Sequence, residues 1–113
     1  MIHICINGAE GRMGQTLALL AADSADLSLI GLLERADSDA IGNVVADCTV
    51  TSDIRAGLTG AQVAVDFSAP GATVALAEAA AAQGVALVIG TTGLSAAQED
   101  AIREAAKKNR DCL

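Results

Sequence analysis

Ile2-His3-Ile4-Cys5-Ile6-Asn7-Gly8-Ala9-Glu10-Gly11-Arg12-Met13-Gly14 opens the chain with a short apolar run that breaks into closely spaced glycines. This is the order of a strand turning sharply into a helix. The first N–H groups of such a helix have no intrahelical partner and lie at the positive end of its dipole, so the turn is a ready seat for a pyrophosphate. The glycines stand at i, i+3 and i+6, a GxxGxxG pattern, because Ala9 takes the place of one glycine of the stricter GxGxxG. A glycine-rich turn can open any βα unit, so the motif needs support from further along the chain.

That support starts with the pattern of elements. Strands are expected at 2–7, 27–33, 62–67 and 85–89, with a short one near 49–51, alternating with helical segments. Near-continuous apolar runs such as Val85-Ala86-Leu87-Val88-Ile89 suit parallel strands buried on both faces. Met13, Leu17, Leu20 and Ala21 form the expected inward stripe of the first helix. Pro70 opens and Gly84 closes the alanine-rich helix between them, and Ser95-Ala96-Ala97-Gln98 has the form of a capping box for the last one. The acidic stretch Ala36 to Ser52 reads as a surface loop. The fold class is α/β: a Rossmann-like parallel sheet with helices on both faces, in one dinucleotide-binding domain over 1–113.

Composition narrows the function. At 113 residues, 52% hydrophobic and 19% charged, the chain is globular and about one domain long. A net charge of −7 argues against nucleic acid as a partner, since a phosphate backbone calls for a basic face. No apolar run reaches the roughly 18 residues of a membrane span, and no signal-peptide pattern opens the chain, so a cytoplasmic location is expected. Cys5, Cys48 and Cys112 are widely separated, with no CxxC pair, which argues against a disulfide framework and against a zinc or other metal site. Residues 1–100 carry only three basic side chains, Arg12, Arg35 and Arg55, while Arg103, Lys107, Lys108 and Arg110 crowd the other end as a solvated last turn.

Two of those scarce arginines lie beside candidate cofactor contacts. Glu34 ends the second expected strand about 20 residues past the glycines, where an acidic residue accepts hydrogen bonds from the adenosine ribose. Arg35 follows it, where a guanidinium can pair with a 2′-phosphate. Glu34 favours NADH and Arg35 NADPH, so the pair describes a site that accepts both. Asp66-Phe67-Ser68-Ala69-Pro70-Gly71 and Gly90-Thr91-Thr92-Gly93 end two later strands and face the same expected crevice. Phe67, the only aromatic residue, suits a nicotinamide neighbour and a core position equally. Thr91 and Thr92 offer hydroxyls beside glycines that permit close approach, which suits a carboxamide or a small anion. Turn and capping chemistry accounts for the same residues without a ligand.

Taken in order, Gly8-Ala9-Glu10-Gly11-Arg12-Met13-Gly14, Leu33-Glu34-Arg35, Asp66-Phe67-Ser68 and Val88-Ile89-Gly90-Thr91-Thr92-Gly93 resemble the N-terminal domain of the 4-hydroxy-tetrahydrodipicolinate reductases, over nearly the whole chain. The resemblance implies an oxidoreductase of diaminopimelate and lysine biosynthesis that uses NADH or NADPH. It implies that Gly8, Ala9, Glu10, Gly11, Arg12 and Met13 hold the pyrophosphate, Glu34 the ribose hydroxyls and Arg35 the 2′-phosphate. Gly90, Thr91 and Thr92 are then expected near the nicotinamide, with Thr92 also reaching substrate.

Family members continue into a further strand and a substrate domain that supplies the proton and the dicarboxylate site. The expectation is therefore a truncated domain, without that second half, that binds cofactor with little or no turnover and has no catalytic residue of its own. His3, the sole histidine, falls near the start of the first strand, far from the crevice. Full-length family members are expected to be homo-oligomers, and this chain to self-associate through the apolar edge Val85 to Ile89. Two other readings remain: a stand-alone dinucleotide-sensing regulatory module, and an acyl-CoA-binding domain, which leaves Glu34 unexplained.

Overall fold

The computed structural model describes residues 1–108 and resolves the alternation into six strands and four helices. β1 (Ile2–Asn7) leads into α1 (Arg12–Asp23) and β2 (Leu27–Leu33), then a hairpin of β3 (Val44–Val45) and β4 (Cys48–Thr51). After α2 (Ile54–Leu58) come β5 (Val63–Asp66), α3 (Pro70–Gln83), β6 (Ala86–Ile89) and α4 (Ala96–Lys108). The strands lie in the order β3-β4-β2-β1-β5-β6, parallel except for the hairpin. The chain leaves β1 toward β2 on one side and returns through β5 on the other. That reversal opens a crevice at the carboxyl ends of β1 and β5.

Side chains alternate across the sheet into two cores. Ile4, Ile6, Leu32, Cys48 and Val50 pack with Ala18 and Ala21 of α1 on one face. Cys5, Leu33, Ala64 and Leu87 pack with α2, α3 and α4 on the other. Helices thus cover both faces. Cys5 and Cys48 are free and buried, and burial pushes the Cys5 thiol up to about 12, so it packs as a neutral group. The expected caps form: Gly84 closes α3 at φ 69°, and Ser95 Oγ accepts from Gln98 N while Gln98 Oε1 accepts from Ser95 N.

Three expectations change, and one further element is found. The inward stripe of α1 is Gly14, Ala18 and Ala21, whereas Met13 and Leu20 are 48% and 62% exposed. The helix turns its small residues to the sheet because it must approach the glycine turn closely. A Cβ at Gly14 meets Gly8 O at 2.0 Å, and one at Gly8, where φ is +93°, meets Phe67 O at 2.3 Å. Ala21 and the half-buried Leu17 face the core as expected, and apolar size misplaced Met13 and Leu20. Second, 36–52 is not only loop: Val44↔Thr49 and Val45↔Cys48 pair across Ala46 and Asp47, both at positive φ as a two-residue hairpin turn of the primed type requires. Neither is a glycine, which hid the turn. Third, β6 is buried on one face only, with Leu87 enclosed and Val88 43% exposed. The further element, five-residue α2, has no sequence pattern long enough to show a period.

At the far end of the chain Arg103 and Lys107 pair with carboxylates one turn back, at Asp100 and Glu104. Arg110 and Cys112 lie outside the described residues.

Candidate functional site

The crevice beside β1 is a cleft of about 530 Å³. Of the residues singled out from the sequence, Gly8, Glu10, Gly11, Glu34, Arg35 and Phe67 line it. β1 delivers Gly8, β2 delivers Glu34 and Arg35, and β5 delivers Phe67. Each stands at or just past a strand's carboxyl end, so parallel register brings them together from positions up to 59 residues apart.

The glycine turn is tied down from within. Gly8 N and Ala9 N both donate to Leu33 O, at 3.0 and 3.1 Å, and Gly11 N donates to Gly8 O at 3.1 Å. Glu10 N donates to Glu34 Oε2 at 2.9 Å, and Arg35 N donates to Glu34 Oε1 at 3.0 Å. The carboxylate that ends β2 therefore reaches the glycine turn itself. Gly11 is the N-cap of α1 and offers no capping side chain, so the N–H groups of Arg12 and Met13 begin the helix uncapped. Both residues are exposed. Ala9 faces away from the cleft, packed against the α1 side of the sheet.

The later strand ends are organised by a residue that sequence reasoning did not rank among the contacts. Asp66 is fully buried, and its carboxylate accepts from Asn7 Nδ2 (2.9 Å), Ser68 Oγ (2.5 Å), Thr73 Oγ1 (2.5 Å) and Thr91 Oγ1 (2.7 Å). No cation pairs with it among the described residues, and the carboxylate is tolerated there because four donors replace its water. The signal was present: an acid closing an otherwise apolar strand, with hydroxyls at Ser68 and Thr73 one turn and one helix start later.

Asp66 decides what the Gly90-Thr91-Thr92 run can offer. The Thr91 hydroxyl is engaged on both sides, donating to Asp66 and accepting from Ser68 N at 3.0 Å. Thr92 is exposed. Gly90 stands behind the half-buried Phe67 ring, and a Cβ there meets Phe67 Cε1 at 2.1 Å. The ring therefore lies against the Gly90 backbone and lines the cleft. Ser52 and Ile54, ahead of and within α2, complete the wall by Arg35. Their signal was the Asp53 N-cap, whose Oδ1 accepts from Ala56 N at 3.2 Å. His3 is exposed at the opposite end of β1.

The model of the family described as "Dihydrodipicolinate reductase, N-terminus" matches residues 2–113. The chain belongs to this family. Its relatives include the 4-hydroxy-tetrahydrodipicolinate reductases of Nitrosomonas eutropha, 39% identical over 95% of this chain, and of Desulfovibrio desulfuricans, 44% identical over 93%. It spans 42% and 41% of those proteins. The fold is shared with a solved structure titled dipicolinate-bound dihydrodipicolinate reductase from Paenisporosarcina sp. TG-14, at a TM-score of 0.76 and 21% identity over 94% of this chain and 43% of that one. The family binds NADH or NADPH, and its members belong to lysine biosynthesis. No helix among the described residues is long and apolar enough to cross a membrane.

Proposed function

We propose that residues 1–113 form the nicotinamide-dinucleotide-binding domain of a 4-hydroxy-tetrahydrodipicolinate reductase, with the cofactor seated in the cleft at the carboxyl ends of β1, β2 and β5. The observation that carries this reading is the 2.9 Å bond from Glu10 N to the Glu34 carboxylate, which joins the phosphate cradle and the ribose acceptor in one site. The cradle fits a pyrophosphate at Gly11. Its φ of −67° suits any residue, and a Cβ there meets only Gly8 O, at a comfortable 3.5 Å, so the protein itself does not require glycine. An open backbone at the start of α1 is what an approaching phosphate needs.

The pyrophosphate is assigned to the 8–13 turn, the ribose hydroxyls to Glu34, and the nicotinamide end to Phe67 and the Gly90-Thr91-Thr92 run, with Thr92 the one of the three exposed toward a substrate. When bound, the cofactor supplies a hydride to a reducible double bond. The polar side chains lining the cleft, among them Asn7, Glu34 and Ser68, bind and orient. None of the lining residues is a lysine or histidine that could deliver a proton. We therefore assign this chain cofactor binding without turnover of its own, in a cytoplasmic protein.

Titrating the chain with NADH, NADPH and coenzyme A, followed by nicotinamide fluorescence or calorimetry, tests the reading. Saturable NADH binding supports it, and Gly11→Val, which fills the cradle, is expected to weaken that binding by at least about tenfold with the circular dichroism unchanged. Binding of coenzyme A alone overturns it.

The sheet edge adds an expectation about assembly. Among the described residues β6 pairs only with β5; it carries no charge and presents Val88 at 43% exposure. Such an edge is a template for another strand, and we assign it to a second copy of this chain. Sedimentation velocity should show mass rising with concentration, and Val88→Lys should suppress it. A concentration-independent monomer rules the contact out.

A further inference from the structure

NADPH differs from NADH by a 2′-phosphate of nearly two negative charges, so a site that accepts it must offer cations or uncommitted donors beside the ribose. The end of β2 offers one cation among several carboxylates. Glu34 turns its carboxylate inward against the glycine turn, bonded to Glu10 N and Arg35 N. The Glu10 side chain lies in the same corner, its Oε2 accepting from Ser38 Oγ at 2.6 Å. Ser38 is itself buried and fixed by Ala40 N, which donates to its hydroxyl at 3.0 Å, so it holds Glu10 in place and has no hydrogen left to donate. Arg35, the one cation lining this cleft among the described residues, has its Nε 3.5 Å from Asp37 Oδ1.

Three carboxylates thus gather around Arg35 through contacts each no longer than 3.5 Å, Asp37 against its guanidinium, Glu34 against its backbone N–H, and Glu10 joined to Glu34 through its own backbone N–H. The Arg35–Asp37 pair is exposed and weak by itself. What matters is the local excess of two negative charges, all within a screening length of the ribose position.

We propose that this site selects NADH over NADPH, and that Asp37, by neutralising Arg35, is a specificity-determining residue. The inference rests on the dinucleotide site described above and sharpens the expectation, read from Glu34 and Arg35 alone, of a site open to both cofactors. Asp37 touches neither the cradle nor Glu34, so its removal frees Arg35 without altering the NADH contacts.

The test is a pair of titrations of the 113-residue chain, with NADH and with NADPH, at low and at high salt, repeated on Asp37→Ser. NADH is expected to bind at least about tenfold more tightly at low salt, with the gap narrowing as salt screens the carboxylates. Asp37→Ser should tighten NADPH severalfold and leave NADH within a factor of about two. Equal or tighter NADPH binding by the unaltered chain overturns the proposal, and so does an NADH/NADPH ratio that Asp37→Ser fails to move. Failure of both nucleotides to bind is a different result, which overturns the dinucleotide site itself.

Discussion

Gly14→Ala is expected to destabilise the chain by about 1–3 kcal/mol and to weaken dinucleotide binding by at least about tenfold, although alanine is the better helix former by about 1 kcal/mol. Gly14 lies in the first turn of α1, on the face that meets the glycine turn. A Cβ built there stands 2.0 Å from Gly8 O, 2.8 Å from Gly8 C and 3.1 Å from Ala9 Cα. All three atoms are backbone, so no side chain can swing aside. Gly8 cannot retreat either, since its own missing Cβ leaves just enough room for Phe67 O. The helix must move outward, and the uncapped N–H groups of Arg12 and Met13 move with it, which couples a packing fault to the proposed phosphate seat. Gly71→Ala in α3 is the control. Nothing lies within 4 Å of a Cβ there, so it should be neutral or stabilising by a few tenths of a kcal/mol. Urea midpoints and NADH titration read both effects; a Gly14→Ala chain as stable as its parent overturns the argument.

The same crowding explains which parts of the fold were legible. β1 and β2 follow from the sequence residue for residue, because a buried parallel strand is a bare apolar run and both end in a change of chemistry, at Asn7-Gly8 and at Glu34. α3 and α4 were legible through their ends, a proline and a left-handed glycine for one and a reciprocal Ser95–Gln98 cap for the other. What the sequence hid was decided by contacts between distant segments. The rotation of α1 depends on how closely Gly14 must approach Gly8, and a hydrophobicity stripe carries no information about that. The β3–β4 turn relies on Ala46 and Asp47 holding positive φ at a cost of about 1–2 kcal/mol each for an ordinary L-residue. The hairpin's pairing outweighs local preference there.

The proposed site divides along the same line. Glu34 and the glycines announced themselves by spacing, since strand length and turn length fix where the end of β2 meets the end of β1. Arg35 also stands where the spacing puts it, but its pairing with Asp37 and the inward turn of the Glu34 carboxylate depend on rotamers that a linear sequence does not specify. Thr91 is the sharpest case. As a residue type it offers a donor to a ligand, yet in place its hydroxyl is engaged by Asp66 and Ser68 N.

Asp66→Ala is accordingly expected to cost about 3–5 kcal/mol, a large share of the stability of a domain this size. The substitution removes the shared acceptor of four donors, the Asn7 amide on β1, the Ser68 hydroxyl after β5, the Thr73 hydroxyl in the first turn of α3 and the Thr91 hydroxyl after β6, and leaves them only longer contacts of 3.2–3.4 Å to Ser68 Oγ, Ala69 O and Ser68 O. Asp66→Asn separates charge from shape. Its amide nitrogen cannot occupy the Oδ1 position, where the Asn7 Nδ2 group can only donate, so it must turn toward Thr73 and Thr91. Both hydroxyls can accept, but Thr91 Oγ1 already accepts from Ser68 N and sits 3.4 Å from Ser68 O, its best alternative acceptor. The asparagine variant should therefore lose about 1–3 kcal/mol, less than alanine, and release the Thr91 end of the site while the glycine turn stays bound to Leu33 O. Denaturant unfolding should rank the chains parent, Asp66→Asn, Asp66→Ala, and the asparagine chain should keep its affinity for ADP-ribose while losing affinity for NADH. An alanine variant within about 1 kcal/mol of the parent means that water or the second acceptors satisfy the four donors, and that Asp66 does not hold the strand ends together.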